Sequence, residues 1–260
     1  MNLIALPAFA DNYIWMLHDG ARAVVVDPGD AAPVRAALDA HGLALAGILV
    51  THHHPDHVGG VAELRPRLQG AVYGPAREKI PGPFKPLHDG DVVEMLGVHF
   101  KVLDVPGHTA GHIAYLQQGE AVPGIAAPML FCGDTLFSAG CGRLFEGTPG
   151  QMFESLSKLA ALPPQTQVCC THEYTLSNLR FAAAVEPGNA ERAAYEAHCR
   201  ELRAADLPTL PSSIGRERQI NPFLRCDAPE VVAAARAQGT TSNQPVAVFT
   251  ALREWKNRFR

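Results

Sequence analysis

The sequence predicts a mixed α/β domain followed by a small all-helical domain. Over the first two-thirds of the 260-residue chain, short apolar segments of strand length alternate with a few helical segments. Beyond Thr171 the composition changes to segments rich in Ala, Glu and Arg that have helical spacing. We therefore place a domain boundary near residue 174 and predict domains of residues 1–173 and 174–260.

The strand predictions rest on short runs of β-branched and aromatic residues that end at turn residues. A first strand lies at the N-terminus, before Asp11. Residues 92–96 and 98–105 are predicted to form a hairpin around Gly97. The other predicted strands are residues 12–17, 23–27, 45–50, 71–74, 113–117, 129–132 and 167–171.

The helix predictions rest on helical spacing of apolar residues and on recognisable caps. Asp30 can cap the first helix, and Pro33 is tolerated in its first turn. A Pro-, Ser- and Gly-rich stretch, residues 207–223, is predicted to connect two of the C-terminal helices. The predicted helices are residues 31–41, 58–69, 150–161, 190–206, 228–238 and 245–259.

The composition describes a soluble globular protein and disfavours two classes of partner. With 22 basic and 26 acidic residues the formal net charge is −4, and no strong basic run is present, so nucleic acid is a poor candidate. No apolar run approaches the roughly 18 residues that a membrane span requires, so we expect no membrane partner. A monomer is the default expectation for a chain of this size.

The cysteines and the N-terminus both favour the cytoplasm. The six cysteines show no CxxC pair, and Cys169 and Cys170 are adjacent within an apolar run. We therefore expect reduced, buried thiols rather than a disulfide framework. The apolar N-terminus lacks a basic leading region and is interrupted by Asp11 and Asn12, so we predict a strand rather than a signal peptide.

The segment THHHPDHVGG, residues 51–60, carries five potential metal ligands directly after the predicted strand 45–50. At a strand end His52 and His54 share one side, because side chains alternate with a period of two. Beyond Pro55 the chain turns, so the ligands that follow can face a second point. Two ions a few Å apart accommodate this set better than one tetrahedral ion. A solvated, merely His-rich loop is the weaker interpretation.

Three further candidate ligands follow later predicted strands: His108, Asp134 and His172. Ligands at the carboxyl ends of strands are expected to meet at one edge of an α/β sheet. Because carboxylates can bridge metal ions, Asp134 is predicted to contact both. Imidazole and carboxylate ligands without a thiolate suit zinc and also permit iron or manganese. The predicted sets are His52, His54 and His108 for one ion, and Asp56, His57 and His172 for the other.

The motifs HHHPDH, VPGHT, FCGDT and THEYT resemble those of the metallo-β-lactamase superfamily. This resemblance implies an αββα sandwich with a dinuclear metal site at one edge. The segments DNYIWML, THHHPDHVGG, PGHTAGH, CGDTLFSAGCGRLFEGT, THEYTLSNLRFA and LREWKNRF are similar to those of the glyoxalase II (hydroxyacylglutathione hydrolase) family. This second resemblance spans nearly the full length, including the helical C-terminal domain.

The resemblance to glyoxalase II implies the same seven metal ligands and adds a glutathione-binding surface made by Arg143, Tyr174, Arg253 and Lys256. Arginine and lysine suit this role because glutathione carries two carboxylates. Arg253 and Lys256 lie three positions apart and therefore share one helical face.

This chain departs from the family at three positions on that surface. Phe145 stands where many members have tyrosine, and Arg143 and Asn257 stand where lysine and aspartate are common. We expect these departures to affect glutathione affinity rather than the chemistry. The resemblance also implies that neither His53 nor His112 is a ligand.

We expect His53 to point away from the metals. His112 is expected either to contact a metal ligand without binding metal itself, or to lie at the surface or in the core. Metal-bound imidazoles usually require a partner at the second ring nitrogen, and Asp11 and Asp27 are our candidates for that role.

The implied chemistry is hydrolysis of a glutathione thioester. A water shared by two cations loses a proton near neutral pH, and the resulting hydroxide would attack the carbonyl of S-(2-hydroxyacyl)glutathione, such as S-D-lactoylglutathione. The products would be glutathione and a 2-hydroxy acid, here D-lactate, in the second step of methylglyoxal detoxification. Asp56 and Asp134 are the expected catalytic residues around this hydroxide. Cys132 and Cys141 lack an evident partner base, so no protein nucleophile is expected.

Three alternatives stay open at the level of sequence. A persulfide dioxygenase of the same superfamily, which holds one iron, has the same ligand types, and oxygen uptake would identify it. A nuclease is disfavoured by the net charge and by the lack of a basic insertion. A non-catalytic metal-binding or flavin-linked electron-transfer module is disfavoured, because we expect no second cofactor domain and the seven candidate ligands would then have no purpose.

Overall fold

The computed structural model describes residues 1–119 and 122–259, which fall into two compact units. The predicted domain boundary near residue 174 stays a prediction. Arg260, at the end of the predicted second domain, lies outside the described residues. The first unit comprises Met1–Val105, Ala110–Gly133 and Cys169–His172, and the second comprises Pro106–Thr109, Asp134–Val168 and Glu173–Arg260.

All of the predicted strands are observed, with small differences in their bounds, and short strands are added. The N-terminal strand and the hairpin around Gly97 are confirmed. Within the described residues the strands are β1 (Asn2–Ala8), β2 (Asn12–His18), β3 (Arg22–Val26), β4 (Ala44–Leu49), β5 (Leu68–Pro75), β6 (Lys85–Leu87), β7 (Val92–Met95), β8 (Val98–Asp104), β9 (Ile113–Gln118), β10 (Met129–Gly133), β11 (Leu136–Phe137), β12 (Gly140–Cys141), β13 (Gln167–Cys170) and β14 (Ser212–Ser213).

The helices follow the same order along the chain, and short 3-10 turns at Arg65–Arg67 and Pro222–Leu224 accompany them. No helix of the described residues is long and apolar enough to cross a bilayer. The helices are α1 (Ala31–His41), α2 (Pro55–Val58), α3 (Val61–Leu64), α4 (Pro149–Ala160), α5 (Thr175–Val185), α6 (Ala190–Ala204), α7 (Ile214–Ile220), α8 (Pro229–Ala237) and α9 (Pro245–Arg258).

Two sheets build the first unit. One has the strand order β1-β2-β3-β4-β5-β6, antiparallel at β1, β2 and β3 and parallel from β3 to β6. The other has the order β13-β10-β9-β8-β7 within this unit. The Trp15 indole donates a hydrogen bond to Cys170 O at 2.9 Å, and the Tyr115 hydroxyl donates one to Val50 O at 2.8 Å, so each bond links the two sheets. A Cβ at Gly47 would lie 2.7 Å from Met95 Sδ, which shows how closely the sheets approach.

Helix α1 shows how closely local sequence can determine an element. It spans the predicted residues 31–41, and its N-cap Asp30 accepts a hydrogen bond from Ala32 N, as predicted. Val34 and Leu38, one turn apart, are buried in the core cluster of the first sheet. The helix therefore covers one face of that sheet.

The single helix predicted over residues 58–69 is wrong. The chain instead forms α2, α3 and a 3-10 turn, and β5 begins at Leu68. Between α2 and α3 the helical hydrogen bonding is interrupted, because Gly60 N donates to Pro28 O, and a Cβ at Gly60 would lie 2.6 Å from Ala31 N. Pro66 then removes a backbone donor, so the apolar spacing of this segment cannot produce a continuous helix.

The second unit is mainly helical. Helix α4 begins with a capping box, in which Gln151 N donates to Thr148 Oγ1 and Thr148 N donates to Gln151 Oε1. Helix α7 lies inside the predicted Pro-, Ser- and Gly-rich connection, and α5 was not predicted either. A small buried cluster joins the elements of this unit and contains Ala139, Leu179, Cys199 and Ile220. All six cysteines of the chain are buried free thiols.

Candidate metal centre

The histidine loop starts at the end of β4 and is held by Asp27. The Asp27 carboxylate accepts hydrogen bonds from Thr51 N and from Thr51 Oγ1, both at 2.7 Å. Asp27 itself has a positive φ of 53°, which is unfavourable for a residue other than glycine. These two buried hydrogen bonds compensate for that conformation and set the direction in which the loop leaves the sheet.

The position of the histidine loop also requires a glycine at position 29, in the DPGD turn that follows β3. A Cβ on Gly29 would lie 1.8 Å from the carbonyl oxygen of Asp56, so no side chain fits between these two segments. The backbone of Asp56 therefore rests directly on the DPGD turn that follows β3. This close approach fixes where helix α2, which carries Asp56 and His57, begins.

Asp56, His57 and His172 form a triad of candidate ligands in the first unit. Their donor atoms all lie within 4.8 Å of one another. Asp56 Oδ2 is 3.6 Å from His57 Nε2 and 3.5 Å from His172 Nε2. The sequence predicted these three residues as ligands of one ion, and the structure brings them together. Imidazole and carboxylate donors at this spacing fit a divalent cation.

A carboxylate lies behind each histidine of the triad. Asp27 Oδ2 is 3.0 Å from His57 Nδ1, and Asp11 Oδ1 is 2.9 Å from His172 Nδ1. Because Nδ1 of each ring is engaged in this way, Nε2 is the nitrogen that faces the triad. Asp11 and Asp27 therefore lie where their predicted role of orienting the rings requires, and the role itself stays a prediction.

His52 and His54 also lie together, with His52 Nε2 3.1 Å from His54 Nδ1. The ring of His112, which is fully buried, stacks on His52 with a centroid distance of 4.6 Å and an interplanar angle of 20°. The His112 ring therefore packs against His52 and restrains its orientation. The ring of His53 turns to Glu78 instead, with His53 Nδ1 2.9 Å from Glu78 Oε2, as expected for a residue that points away from the ligands.

Glu78 is a residue of this centre that sequence reasoning missed. Its side chain is only 2% exposed. Glu78 Oε2 accepts a hydrogen bond from His53 N at 2.6 Å, and Oε1 accepts one from Gly111 N at 3.0 Å. The carboxylate thus ties the histidine loop to the segment that follows His108 in sequence. No local pattern marks this residue, since an acidic side chain in a polar turn is ordinarily exposed.

Two more predicted ligands, His108 and Asp134, lie together in the second unit. His108 Nε2 is 3.4 Å from Asp134 Oδ2. His108 Nδ1 is 2.8 Å from the carbonyl oxygen of Arg143, which can only accept, so Nδ1 carries the proton. Nε2 then faces Asp134 and is the nitrogen placed to bind a metal ion.

The predicted glutathione-binding residues all belong to the second unit, and two of them are exposed. Tyr174 is 36% exposed and packs edge-on against Phe137 at 5.4 Å between centroids. Arg143 is exposed, and its guanidinium carbon is 6.0 Å from the ring centroid of Phe145. Phe145 is 60% exposed and lies edge-on to the His108 ring at 5.3 Å. An exposed aromatic and cationic surface therefore adjoins His108.

Arg253 and Lys256, the other two predicted substrate contacts, differ in their surroundings. Arg253 is buried, and its Nη1 donates to Cys141 O at 2.8 Å while its Nη2 donates to Asn257 Oδ1 at 3.2 Å. Lys256 Nζ donates to Ser177 O at 3.2 Å. Burial, together with the nearby positive charge of Arg253, lowers the pKa of Lys256 to about 8. The role of both residues in glutathione binding stays a prediction.

Comparison with known proteins gives a family match for each of the two parts of the chain. Residues 10–172 match the family profile described as the metallo-beta-lactamase superfamily. Residues 173–259 match the profile described as the hydroxyacylglutathione hydrolase C-terminus. A hydroxyacylglutathione hydrolase of Albidiferax ferrireducens is 59% identical over 259 residues, which covers 100% of both chains. One of Cupriavidus taiwanensis is 58% identical over 264 residues and covers 98% of each.

Solved structures agree on the fold. The BLEG-1 B3 metallo-beta-lactamase aligns with a TM-score of 0.61 at 25% identity, covering 86% of this chain and 99% of that one. TTHA1623 in a di-iron-bound form aligns with a TM-score of 0.58 at 29% identity, covering 86% and 100%. ETHE1 from Myxococcus xanthus, at 24% identity, covers 100% of both chains with a TM-score of 0.65 and supports the fold alone.

The predicted metallo-β-lactamase sandwich followed by a helical region is confirmed by these matches. The full-length relatives also confirm the predicted resemblance to glyoxalase II. No comparison favours the dioxygenase. The chain belongs to the hydroxyacylglutathione hydrolase family within the metallo-beta-lactamase superfamily.

Proposed function

We propose that this protein hydrolyses S-(2-hydroxyacyl)glutathione thioesters, with S-D-lactoylglutathione as its substrate, to glutathione and D-lactate. The observation that carries the proposal is the triad of Asp56, His57 and His172, in which carboxylates engage Nδ1 of both rings. The relatives named hydroxyacylglutathione hydrolase, which match over the full length, supply the substrate class.

We further propose that the chain holds two divalent metal ions, with zinc preferred over iron or manganese. The donor set of imidazoles and carboxylates supports this assignment, and the related TTHA1623 has been solved in a di-iron-bound form. When bound, the ions would supply an activated water and positive charge for the developing oxyanion. The proposed ligands are His52, His54 and His108 for one ion and Asp56, His57 and His172 for the other, with Asp134 shared.

The chain's own residues orient the reaction rather than form a covalent intermediate. Asp56 presents a carboxylate oxygen beside the Nε2 atoms of two histidines, where it can accept a hydrogen bond from the attacking water. Burial raises the pKa of the Cys141 thiol, so this cysteine is not a thiolate near neutral pH. Direct attack of water on the thioester carbonyl is therefore the favoured route.

For substrate binding we propose that Arg143, Tyr174, Arg253 and Lys256 receive the glutathione moiety. Cationic groups suit its carboxylates, and an exposed tyrosine can both pack against the peptide and donate a hydrogen bond. Phe145 offers packing without a hydroxyl. We also propose a monomer that acts in the cytoplasm during methylglyoxal detoxification, and the six free thiols support a reducing compartment.

The decisive experiment measures thiol release from S-D-lactoylglutathione by purified protein. We expect release that is abolished by a chelator and restored by added zinc, with no hydrolysis of a β-lactam under the same conditions. Oxygen uptake with glutathione persulfide serves as the control for the dioxygenase. Metal-loaded, folded protein that releases no thiol but consumes oxygen would refute the hydrolase.

A further inference from the structure

Asn12 lies at the start of β2, beside the turn of the first hairpin, and is only 6% exposed. Its Nδ2 donates to Asp56 Oδ2 at 3.0 Å and is 3.5 Å from Asp56 O. Because both of those atoms can only accept, the amide must present its NH₂ group to them rather than its oxygen. The first hairpin therefore delivers a neutral hydrogen-bond donor to the Asp56 carboxylate.

The backbone holds Asn12 in place independently of its side chain. Tyr13 N donates to Thr171 O at 2.6 Å, and Asn12 forms an isolated antiparallel bridge with His172. On the other side, Asn12 pairs with Ala8 at the end of the hairpin register. A substitution of the Asn12 side chain is therefore expected to leave the position of the hairpin unchanged.

Asp56 needs such a partner more than the two histidines of the triad do. Its side chain is 40% exposed, whereas those of His57 and His172 are 0% and 5% exposed. Packing therefore restrains the imidazoles but leaves the carboxylate freer to rotate. The histidines are also held by Asp27 and Asp11, as described above. An amide is the suitable partner for Asp56, since a second carboxylate so close would repel it.

We propose that Asn12 is a positioning residue that holds the Asp56 carboxylate in its orientation for metal binding. The inference rests on the proposed function, in that it takes Asp56 as a metal ligand. Loss of a group that holds a ligand typically lowers metal affinity or activity by about 10- to 100-fold. We expect a loss of this size for the ion bound by Asp56 and no change for the other ion.

The test compares Asn12→Leu, which keeps a similar volume without a hydrogen bond, with Asn12→Ala in the full-length protein. Zinc affinity is measured by competition with a chromogenic chelator, and the visible spectrum of the cobalt-loaded protein reports ligand geometry. Both variants should weaken one of the two zinc-binding steps by about tenfold or more. They should also shift the cobalt bands, with the Tm of the chelated protein unchanged.

The matched control is Asn2→Leu, which removes an exposed asparagine at the far end of the same hairpin and should leave both zinc steps unchanged. Wild-type zinc affinity in folded Asn12→Leu would overturn the proposal. Should that variant not fold, Asn12→Ala decides by the same criterion.

If the Asn12 variants had a lower Tm after metal removal but bound both zinc ions with wild-type affinity, Asn12 would have only a structural role. That result would also overturn the proposal. If the wild-type protein bound no zinc, cobalt or other divalent ion, the proposed function would fall together with this inference. If the wild-type protein bound two ions and the Asn12 variants bound them with the same affinities, only the role of Asn12 would be refuted and the proposed function would stand.

Discussion

Asp56 and His172 can each be replaced by alanine without leaving a deeply buried charge. Asp56 is partly exposed, and the Asp11 carboxylate that His172 Nδ1 contacts is 39% exposed, so neither substitution leaves a deeply buried charge. The two residues differ in this respect from His57, which is fully buried against Asp27. Activity of the Asp56 and His172 variants therefore reports on the metal centre rather than on stability.

We predict that Asp56→Ala and His172→Ala each lower kcat/KM for S-D-lactoylglutathione by about 100-fold or more, because each removes a metal ligand. Circular dichroism should show the native fold. Thiol release in the presence of excess zinc is the measurement, and activity within about tenfold of wild type in either variant would contradict the dinuclear assignment.

Lys256 should make substrate binding depend on pH. Its pKa is lowered to about 8, so the side chain is charged below that pH and neutral above it. If it binds a glutathione carboxylate, KM should rise as the pH increases through about 8. Lys256→Arg should keep KM low to higher pH, because arginine stays charged, whereas Lys256→Met should show a high KM throughout. If KM of Lys256→Met depended on pH in the same way as KM of the wild type, this role of Lys256 would be excluded.

Arg253 combines a predicted substrate contact with an observed structural one. Arg253→Ala should raise KM, because a contact with a distant carboxylate exists before and during the reaction. It should also lower Tm, because the buried carbonyl of Cys141 loses its charged donor. Steady-state kinetics and thermal unfolding of the same preparation separate the two effects. A decrease in kcat alone would be inconsistent with both.

At the scale of elements, the histidine loop is placed by residues from several distant turns. Gly29 allows the DPGD turn to touch the backbone of Asp56, and Asp27 anchors Thr51. Glu78, in the turn after β5, then joins His53 N to Gly111 N. The loop geometry therefore depends on side chains that are not ligands.

We predict that Glu78→Gln lowers zinc affinity, because an amide can accept only one of these backbone hydrogen bonds well and would set its NH₂ group against the other donor. The expected loss is about tenfold, with a lower Tm in the chelated protein. The control is Glu63→Gln, an exposed glutamate of α3 that pairs with Arg35 at the surface. Equal zinc affinity in the two variants would show that Glu78 does not set the loop.

At the scale of the whole molecule, metal binding should be linked to stability. Ions that bind only the folded chain add RT ln(1 + [L]/Kd), about 4 kcal/mol when the free metal is at 1,000 times Kd. We predict that a chelator lowers Tm and that zinc restores it. Differential scanning calorimetry with and without chelator checks this, and a Tm that does not respond to metal would count against a resident metal centre.

Local signals in the sequence were sufficient for much of the fold. Helix α1, with its Asp30 cap, lies where predicted, as do the β7–β8 hairpin and helix α4. These elements are determined by short-range hydrogen bonds and by hydrophobic spacing, which can be read within about ten residues. The prediction of one helix over 58–69 was wrong for the opposite reason, since Gly60 N donates to Pro28 O, a contact between segments distant in sequence.

By itself, the sequence determined the class of the protein and indicated its candidate ligands, with Asp11 and Asp27 as candidate partners of their rings. Ligand types recur at strand ends, and strand ends can be recognised locally. Only the tertiary structure showed that Glu78 bonds to the backbone of the histidine loop, that Asn12 donates to Asp56, and that Arg253 is buried. Glutamate and asparagine in turns are usually exposed, and it is the fold that brings their hydrogen-bonding groups to partners 25 to 44 residues away.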